Sequence, residues 1–531
     1  MNNRNHNQLK MGIDLGTTSS QVAIENDAGV IEVLANSDGD LVTPSIVSVA
    51  DKEPTVGKVA RQYRFLSPDK VVEQFKKAMD AVTDTGEPIP LVTGADGTEF
   101  TAVMLSAEVL RYLKTSAEKL MGQPIPNAVI SVPAYFKRQA RQATKEAGQI
   151  AGFKNVHIVD EPTAGAAFYG LSKGVDQKIA VFDFGGGTFD ISILGITADG
   201  AIDPIAVDGD PECGGTNVDE VIFQHVREFV SQNGGTLDPE QDLAEWLDCL
   251  DACKQAKETL AHKDSAIIPL RIGSQRLTTE ITYAELKAWS ADIIGNLKDC
   301  CKRALEKANL KPSEIDRVVL IGGSSRLRFV PEIVAEIFGQ QPVADTDPDL
   351  AVARGNAILA AAYFATSDEE LIIDGKRYLP SSIKPSQIAG RDLCVAAITH
   401  KSVDGVTEFN CPIIPSGARL PYEATEYFTP VKADSSSVTV KLIDGAPHEP
   451  SANFTPLQVA DIAVQPTNAS SNQDRIEFKV NMDIEGLVQL SVRDTLLDKP
   501  VPIHFKFHTG LSDAQIDQQR KALEKRHRNT G

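Results

Sequence analysis

Two stretches decide how this chain folds: MGIDLGTTSSQVAI, residues 11–24, and KIAVFDFGGGTFDISIL, residues 178–194. Each climbs an apolar strand to an aspartate, Asp14 or Asp183, bends on glycine and threonine, and leaves on a second apolar strand. The first bend is Gly16-Thr17-Thr18; the second is Gly185-Gly186-Gly187-Thr188, with Asp190 just beyond. Glycines let backbone amides crowd an anion and hydroxyls add donors, so each bend reads as a phosphate nest. Facing one another, two such bends would grip a nucleotide tail from both sides. Asp14 and Asp183 are then placed to hold a hydrated magnesium ion, which takes only one or two carboxylates.

A lone glycine-rich hairpin also fits a plain tight turn. Two copies about 170 residues apart, each with Asp before the glycine and Thr after it, point to an internally duplicated nucleotide-binding domain. No Gly-Lys-Ser/Thr string follows either strand, which excludes a Walker loop. Asp183-Phe184-Gly185 lacks the preceding His-Arg-Asp loop of a protein kinase.

At 531 residues the chain exceeds one ordinary core, and its length favours about three or four folding units. Lys plus Arg total 53 against 73 Asp plus Glu, a net charge of −20 that repels polyanions and argues against a nucleic-acid ligand. No apolar run approaches the ~18 residues of a membrane span. The polar start MNNRNHNQLK lacks the apolar core of a secretory signal, so the expected location is cytoplasmic, with no membrane partner. The cysteines form no Cys-x-x-Cys pair and read as small buried side chains, not as a disulfide or zinc framework.

Along the chain, residues 11–365 alternate apolar β-runs with amphipathic helices, the pattern of an α/β architecture. Leu110, Leu113, Ala117 and Leu120 recur at helical spacing after Ser106 and are expected in a core; a second helix is expected from Arg138 to Ile150, before Gly152. A third, near residues 243–262, carries Lys254 and Lys257 on a partly polar face. RVVLIGG at 317–323 is a buried strand ending in paired glycines, followed by Ser324, Ser325 and Arg326, where an adenosine could lie against backbone with the arginine on its base. An ordinary strand-to-helix turn reads the same way. Residues 366–391, rich in proline and polar residues around Leu371, Ile372 and Ile373, read as an interdomain linker. Short alternating strands between 392 and 508 describe an antiparallel β-domain, and 509–531 a polar C-terminal helix capped by Ser512.

In this order the chain resembles the seventy-kilodalton heat-shock chaperones (DnaK-like), from about residue 11 almost to its end. The shared phrases are IDLGTT, AVISVPAYF with RQATKEAGQIAG, DEPTAGAAFYG, AVFDFGGGTFDISI and VVLIGGSSR. The resemblance implies an actin-like, two-lobed ATPase domain over 11–365, then a β-sandwich that binds extended hydrophobic peptides, then a lid remnant. It places Asp14, Asp183 and Asp190 around magnesium and the hydrolytic water, with ATP or ADP as the nucleotide and K+ as a further candidate ion. Thr17, Thr18 and Thr188 would contact phosphates along with Gly16, Gly185, Gly186 and Gly187. Lys76, in EQFKKAMD, falls at the catalytic lysine, with Lys77 the alternative, and Glu161 matches the acidic residue that helps order metal and water. Lys257, Gly323, Ser324, Arg326 and Asp349 would line the adenosine pocket. Pro133 and Arg141 match the relay that carries nucleotide state to the peptide domain, with Leu371, Ile372, Ile373 and Asp374 as the allosteric linker. Leu393, Val395, Ile398, Phe428, Val431 and Val438 would line the peptide groove, although each also reads as an ordinary sandwich core residue. J-domain co-chaperones and nucleotide-exchange factors are the implied further partners.

Four departures stand out. The lid is reduced to its first helix and no acidic tail follows, so bound peptide is expected to escape faster. Lys137-Arg138 replaces the family's usual Asn-Asp, reversing charge beside the J-domain surface. An insertion separates Leu371–Asp374 from the β-domain. Glu258 and Ala261 occupy adenosine-side positions where relatives carry basic or hydroxyl residues, an expectation of weaker nucleotide affinity. Two other functions remain open: a small-molecule kinase on the same core, and a non-cycling interaction protein that binds ATP for structural stability.

Overall fold

The computed structural model describes residues 9–26, 28–83, 88–134, 136–171, 175–343, 347–365, 370–373, 375–398, 407–454, 456–468, 473–497, 503–506 and 511–527. The protein is mixed α/β. Both quoted stretches are hairpins: Lys10–Leu15 turns into Ser19–Glu25, and Gln177–Phe184 into Phe189–Ile196. Each hairpin seeds a sheet. In the first sheet Lys10–Leu15 takes the parallel neighbour Asn127–Val132, itself parallel to Asn155–Asp160. In the second, Gln177–Phe184 takes the parallel neighbour Arg317–Ile321, and Phe189–Ile196 pairs with Ala201–Asp210. Parallel pairing demands crossovers. The helix Arg138–Ile150, with the bounds its spacing predicts, supplies one of them.

Glycines set how closely the layers approach. Two buried helices, Glu161–Leu171 and Ala351–Tyr363, pack against each other and against strands of the two hairpins. A Cβ on Gly355 would meet the Ala164 carbonyl oxygen at 1.8 Å, and one on Gly12 would meet the Ala357 nitrogen at 2.0 Å. A side chain at Gly355 would push the two helices apart, and one at Gly12 would push strand from helix.

One expected stripe needs correction at its end. The helix begins at Ala102, not after Ser106, because Thr101 caps it by accepting the Met104 amide. Leu110, Leu113 and Ala117 are buried, but Leu120 is 59% exposed, since the stripe rotates off the core in the last turn before Gly122. The cysteines are all free, and only Cys411 is not fully buried.

Two four-stranded antiparallel sheets follow, Glu408–Ile414, Leu393–Ile398, Ser437–Asp444 and Gln458–Ala463 in one, Tyr422–Phe428, Ile476–Met482, Val488–Asp494 and Ile503–Lys506 in the other. Their inner faces share one core that includes Leu393, Leu442, Phe478 and Leu490. The segment read as linker is largely structured: Leu371–Ile373 and Lys376–Tyr378 form a hairpin, and Lys384–Pro385 adds a strand beside Ala201–Asp210. Asp374 lies outside the described residues.

The helix Asp513–His527 opens on a box in which Ser512 and Gln515 exchange hydrogen bonds. Ile516 and Leu523, seven residues apart and so on one face, are buried in the same core as Met11 and Phe100. Its basic end is anchored there too, with the His527 ring between Glu53 and Glu108. Among the described residues no helix is long and apolar enough to cross a membrane.

Candidate functional site

The two glycine turns meet. A Cβ on Gly186 would lie 2.6 Å from Thr18 Cγ2, and one on Gly187 would lie 3.0 Å from Thr17 Oγ1 and 2.8 Å from Lys77 Cε. Only glycine allows this approach, which puts three threonine hydroxyls and two backbone turns at one place. Between them is a narrow chamber of about 60 Å³, on whose walls lie Asp14, Gly16, Thr17, Thr18, Gly185, Gly186 and Thr188. Lys76, Glu161, Asp183 and Pro133 complete it. Asp190 is fully buried directly across the hairpin from Asp183, and Gly187 lies at the same turn without lining the chamber.

Lys76 comes from a short helical turn, Phe75–Ala78, and Glu161 from the first turn of the Glu161–Leu171 helix. Lys76 Nζ donates to Glu161 Oε1 at 2.8 Å with both side chains buried. Lys77 points elsewhere: its Nζ donates to Thr216 Oγ1 at 3.0 Å. The two adjacent lysines therefore separate, and Lys76 alone shares the chamber with the carboxylates.

Asp14, Glu161, Asp183 and Asp190 crowd around a single lysine. Loss of hydration, then the neighbouring Glu161, push the Asp14 carboxyl up to about 8, although Lys76 opposes them. Burial, Glu161 and Asp190 hold the Asp183 carboxyl well above the carboxylate range. Asp183 Oδ2 is buried with no hydrogen-bond partner. Excess enclosed negative charge with an orphaned oxygen fits a cation. Asp14 and Asp183 would suit a hydrated magnesium ion, which takes only one or two carboxylates.

A wider chamber of about 380 Å³ adjoins the narrow one and shares Thr18, Ser19, Gly186, Gly323 and Asp349 with it. Lys257, Ser324 and Arg326 are on its wall. The paired glycines after the Arg317–Ile321 strand are needed for contact: a Cβ on Gly322, whose φ is +78°, would meet Asp183 Oδ1 at 2.8 Å, and one on Gly323 would meet Asp349 Oδ1 at 2.7 Å. Lys257 Nζ is held by Asp219 Oδ1 at 2.8 Å and the Gly215 carbonyl at 3.0 Å. Arg326 donates to Asp349 Oδ2 at 2.9 Å and to Asp347, so its guanidinium is fixed on the wall. Glu258 and Ala261 also line this chamber, as do Arg61, Lys254 and His262. Sequence reasoning missed Arg61 and His262, which belong to no motif. Lys254 had a signal, its spacing from Lys257 on one helix.

Arg141 is buried, paired with Asp160, and donates to the Ala134 carbonyl at 3.2 Å, bracing the loop after Pro133. Arg138 is buried against the antiparallel sheets, where it pairs with Asp444 and donates to the Arg391 carbonyl at 2.9 Å. Lys137 pairs with Asp80 at 2.7 Å. Both cations thus have partners within the chain.

The residues carried over as a peptide groove do not share one environment. Leu393 and Val395 are buried in the core between the two antiparallel sheets. Ile398 and Val438 are half-buried, Phe428 packs its ring 4.9 Å from that of Phe478, and Val431 is 69% exposed.

Fold and site together define a mixed α/β protein in which two touching glycine turns enclose an acidic, lysine-bearing chamber beside a larger pocket. A family model described as Hsp70 protein matches residues 10–530, and the chain belongs to the Hsp70 family. Members of that family are ATPases that bind ATP or ADP with magnesium and engage client peptides and co-chaperones.

Proposed function

We propose that this chain is an ATP-dependent molecular chaperone: an actin-like, two-lobed domain hydrolyses ATP and thereby governs how the antiparallel β-domain binds extended hydrophobic peptide. The observation that carries the reading is the buried Lys76–Glu161 pair beside Asp14 and Asp183, at the point where the glycine turns touch. In-line attack on a γ-phosphoryl group asks the protein mainly for positioning and charge neutralisation. Bound magnesium would supply charge neutralisation on the phosphate oxygens. Amides of Gly16 and Gly185 to Gly187 and the hydroxyls of Thr17, Thr18 and Thr188 would cradle the tail. Lys76 would sit over the transferred group, and Glu161 would fix the lysine and orient water. Lys257, Ser324 and Arg326 would hold the nucleoside in the wider chamber.

Of the groove candidates in the β-domain, Ile398, Phe428, Val431 and Val438 lie at or near a surface, and backbone pairing with few pockets would make peptide selection broad. J-domain and exchange-factor partners belong to the same reading. A non-cycling, ATP-binding interaction protein is the second reading, favoured by the ordered connection between the two parts. Steady-state ATPase assays with and without an unfolded hydrophobic peptide separate them. Peptide-stimulated phosphate release supports the chaperone; ATP binding with no turnover under either condition supports the second reading.

A further inference from the structure

The wide chamber carries more cations than a neutral nucleoside needs. Lys257 is held by Asp219 and the Gly215 carbonyl, and Arg326 by Asp349 and Asp347. Two cations remain. Arg61 and Lys254 line the same chamber, both half-buried, and among the described residues neither side chain has a hydrogen-bond or ion-pair partner. Arg61 Nε is buried and still unsatisfied. Glu258, one turn after Lys254 on the Leu243–Leu260 helix, is exposed and does not pair with it; lysine ahead of glutamate is the weaker order at this spacing. Half-buried donors left without acceptors have lost hydration and gained nothing in return, which favours an anion arriving from outside.

The two side chains come from opposite halves of the α/β part. Arg61 is on the short helix Lys58–Gln62, packed against the Ile46–Ser48 and Thr55–Val56 strands, whose Val47 and Val56 share a core with Met11 of the first hairpin. Lys254 is on a helix whose Cys249 and Cys253 share a core with Phe182 and Phe189 of the second hairpin. An anion taken by both would therefore bridge the halves.

That anion is not the phosphate tail. Neither Arg61 nor Lys254 lines the narrow chamber, where the glycine turns, the threonine hydroxyls and Lys76 already face the tail. Besides its 5′ chain, a nucleotide carries further phosphate on the hydroxyls of its ribose, and the ribose belongs to the nucleoside in the wide chamber. Room for such a substituent exists. A third chamber of about 420 Å³ adjoins the wide one and shares Thr216, Asp219 and Lys254 with it, so Lys254 stands at the boundary. The remaining cation there, Arg64, is already paired with Glu73 and with Asp251 at 3.0 Å.

We propose that Arg61 and Lys254 form a second anion subsite, and that the nucleotides this chain binds best carry a phosphate on the 2′ or 3′ hydroxyl of the ribose in addition to the 5′ chain. This rests on the nucleotide-binding reading and narrows its substrate class. The planar guanidinium suits two phosphate oxygens at once, and the ammonium adds a compact charge beside it. Because the subsite is divided between the halves, such a ligand also opposes their separation and leaves slowly.

Titration calorimetry on the full chain with magnesium tests this with three probes: ADP, adenosine 3′-phosphate 5′-diphosphate and its 2′-phosphate isomer. One isomer is expected to bind about tenfold or more tightly than ADP, and the winning isomer shows which hydroxyl is read. The preference should shrink at about 1 M salt, where charges are screened within a few ångströms. Arg61→Gln and Lys254→Gln should each lower the ratio of the two dissociation constants, and the double variant should bring it within about twofold, with circular dichroism reporting an intact fold. Equal affinity for all three probes in the unaltered chain overturns the proposal and leaves the nucleotide reading standing. A preference that survives in the double variant overturns the assignment to these two side chains. Absence of any ADP binding sinks the nucleotide reading, and the subsite with it.

Discussion

Lys76 Nζ lies 2.8 Å from Glu161 Oε1, and among the described residues Lys76 is the one cation on the wall of a chamber that also carries Asp14 and Asp183. Its neighbour Lys77 turns to Thr216 instead. Lys76→Ala is expected to lower ATP turnover by about 10²-fold or more, in the range found when a charge-stabilising donor is removed. Thr188→Ala should also depress turnover, with far-ultraviolet circular dichroism unchanged in both variants. Normal phosphate release by both variants in a steady-state assay would remove the site assignment.

Asp183 Oδ2 has no hydrogen-bond partner and faces crowded negative charge. In the metal-free chain this carboxyl must either ionise beside like charge or take up a proton, and Asp183→Asn removes that cost while keeping the shape. It is expected to raise the melting temperature of the metal-free chain, because like-charge crowding is relieved. It should also abolish the further rise that magnesium with ATP gives the unaltered chain. Calorimetry with and without magnesium checks both halves; an equal magnesium-dependent rise in variant and parent would contradict the metal assignment.

Arg138 and Asp444 are about 5% and 2% exposed and pair across the contact between α/β and antiparallel regions. Arg138 Nε and Asp444 Oδ2 are nevertheless buried without hydrogen-bond partners. A pair so incompletely satisfied recovers little of its desolvation cost and serves better to fix register than to add stability. Removing one member, as in Arg138→Met, leaves a buried charge and is expected to cost about 3–5 kcal/mol at this contact. Arg138→Met with Asp444→Leu should recover that loss. Chemical denaturation of the single and double variants measures the difference, and a double variant no better than the singles would contradict it.

Glu146 is buried, accepts hydrogen bonds from Gln142 and from the Leu511 amide that leads into the C-terminal helix, and is pushed from 4.5 up to about 7, first by burial. The native chain thus holds this proton more tightly than the unfolded chain does. Stability from this group is greatest below about 4.5 and falls as pH rises toward about 7. Glu146→Gln should therefore stabilise the chain at pH 8, by at most roughly 3 kcal/mol, and the advantage should vanish near pH 4. Urea midpoints across that range provide the check, and a constant difference at all pH values would contradict it.

The hairpins and their facing turns were legible because they depend on neighbours in sequence: Asp, Gly and Thr within a few residues fix both the bend and its chemistry. The Arg138–Ile150 helix was legible for the same reason. Leu393 and Val395 were ambiguous, because alternation marks the inward face of a sandwich strand without saying whether core or groove lies there. The order in the segment read as linker was hidden for a different reason. Its strands are two or three residues long, and the groups that order it, the carbonyls of Gly29, Gly200 and Ile202, are supplied by segments more than 150 residues away. The burial of Arg138 could not be read because its partner, Asp444, is 306 residues distant. Composition reports a residue's own preference; it carries no record of a partner that arrives through the fold.

The central claim is that the nucleotide held between the glycine turns sets the affinity of the antiparallel domain for peptide. The direct measurement is the dissociation constant of a fluorescent, extended hydrophobic peptide for the full chain, with ATP and with ADP, each with magnesium. The account predicts values about tenfold or more apart, within the usual span of coupling between two sites. Equal affinity in the two nucleotide states would contradict it.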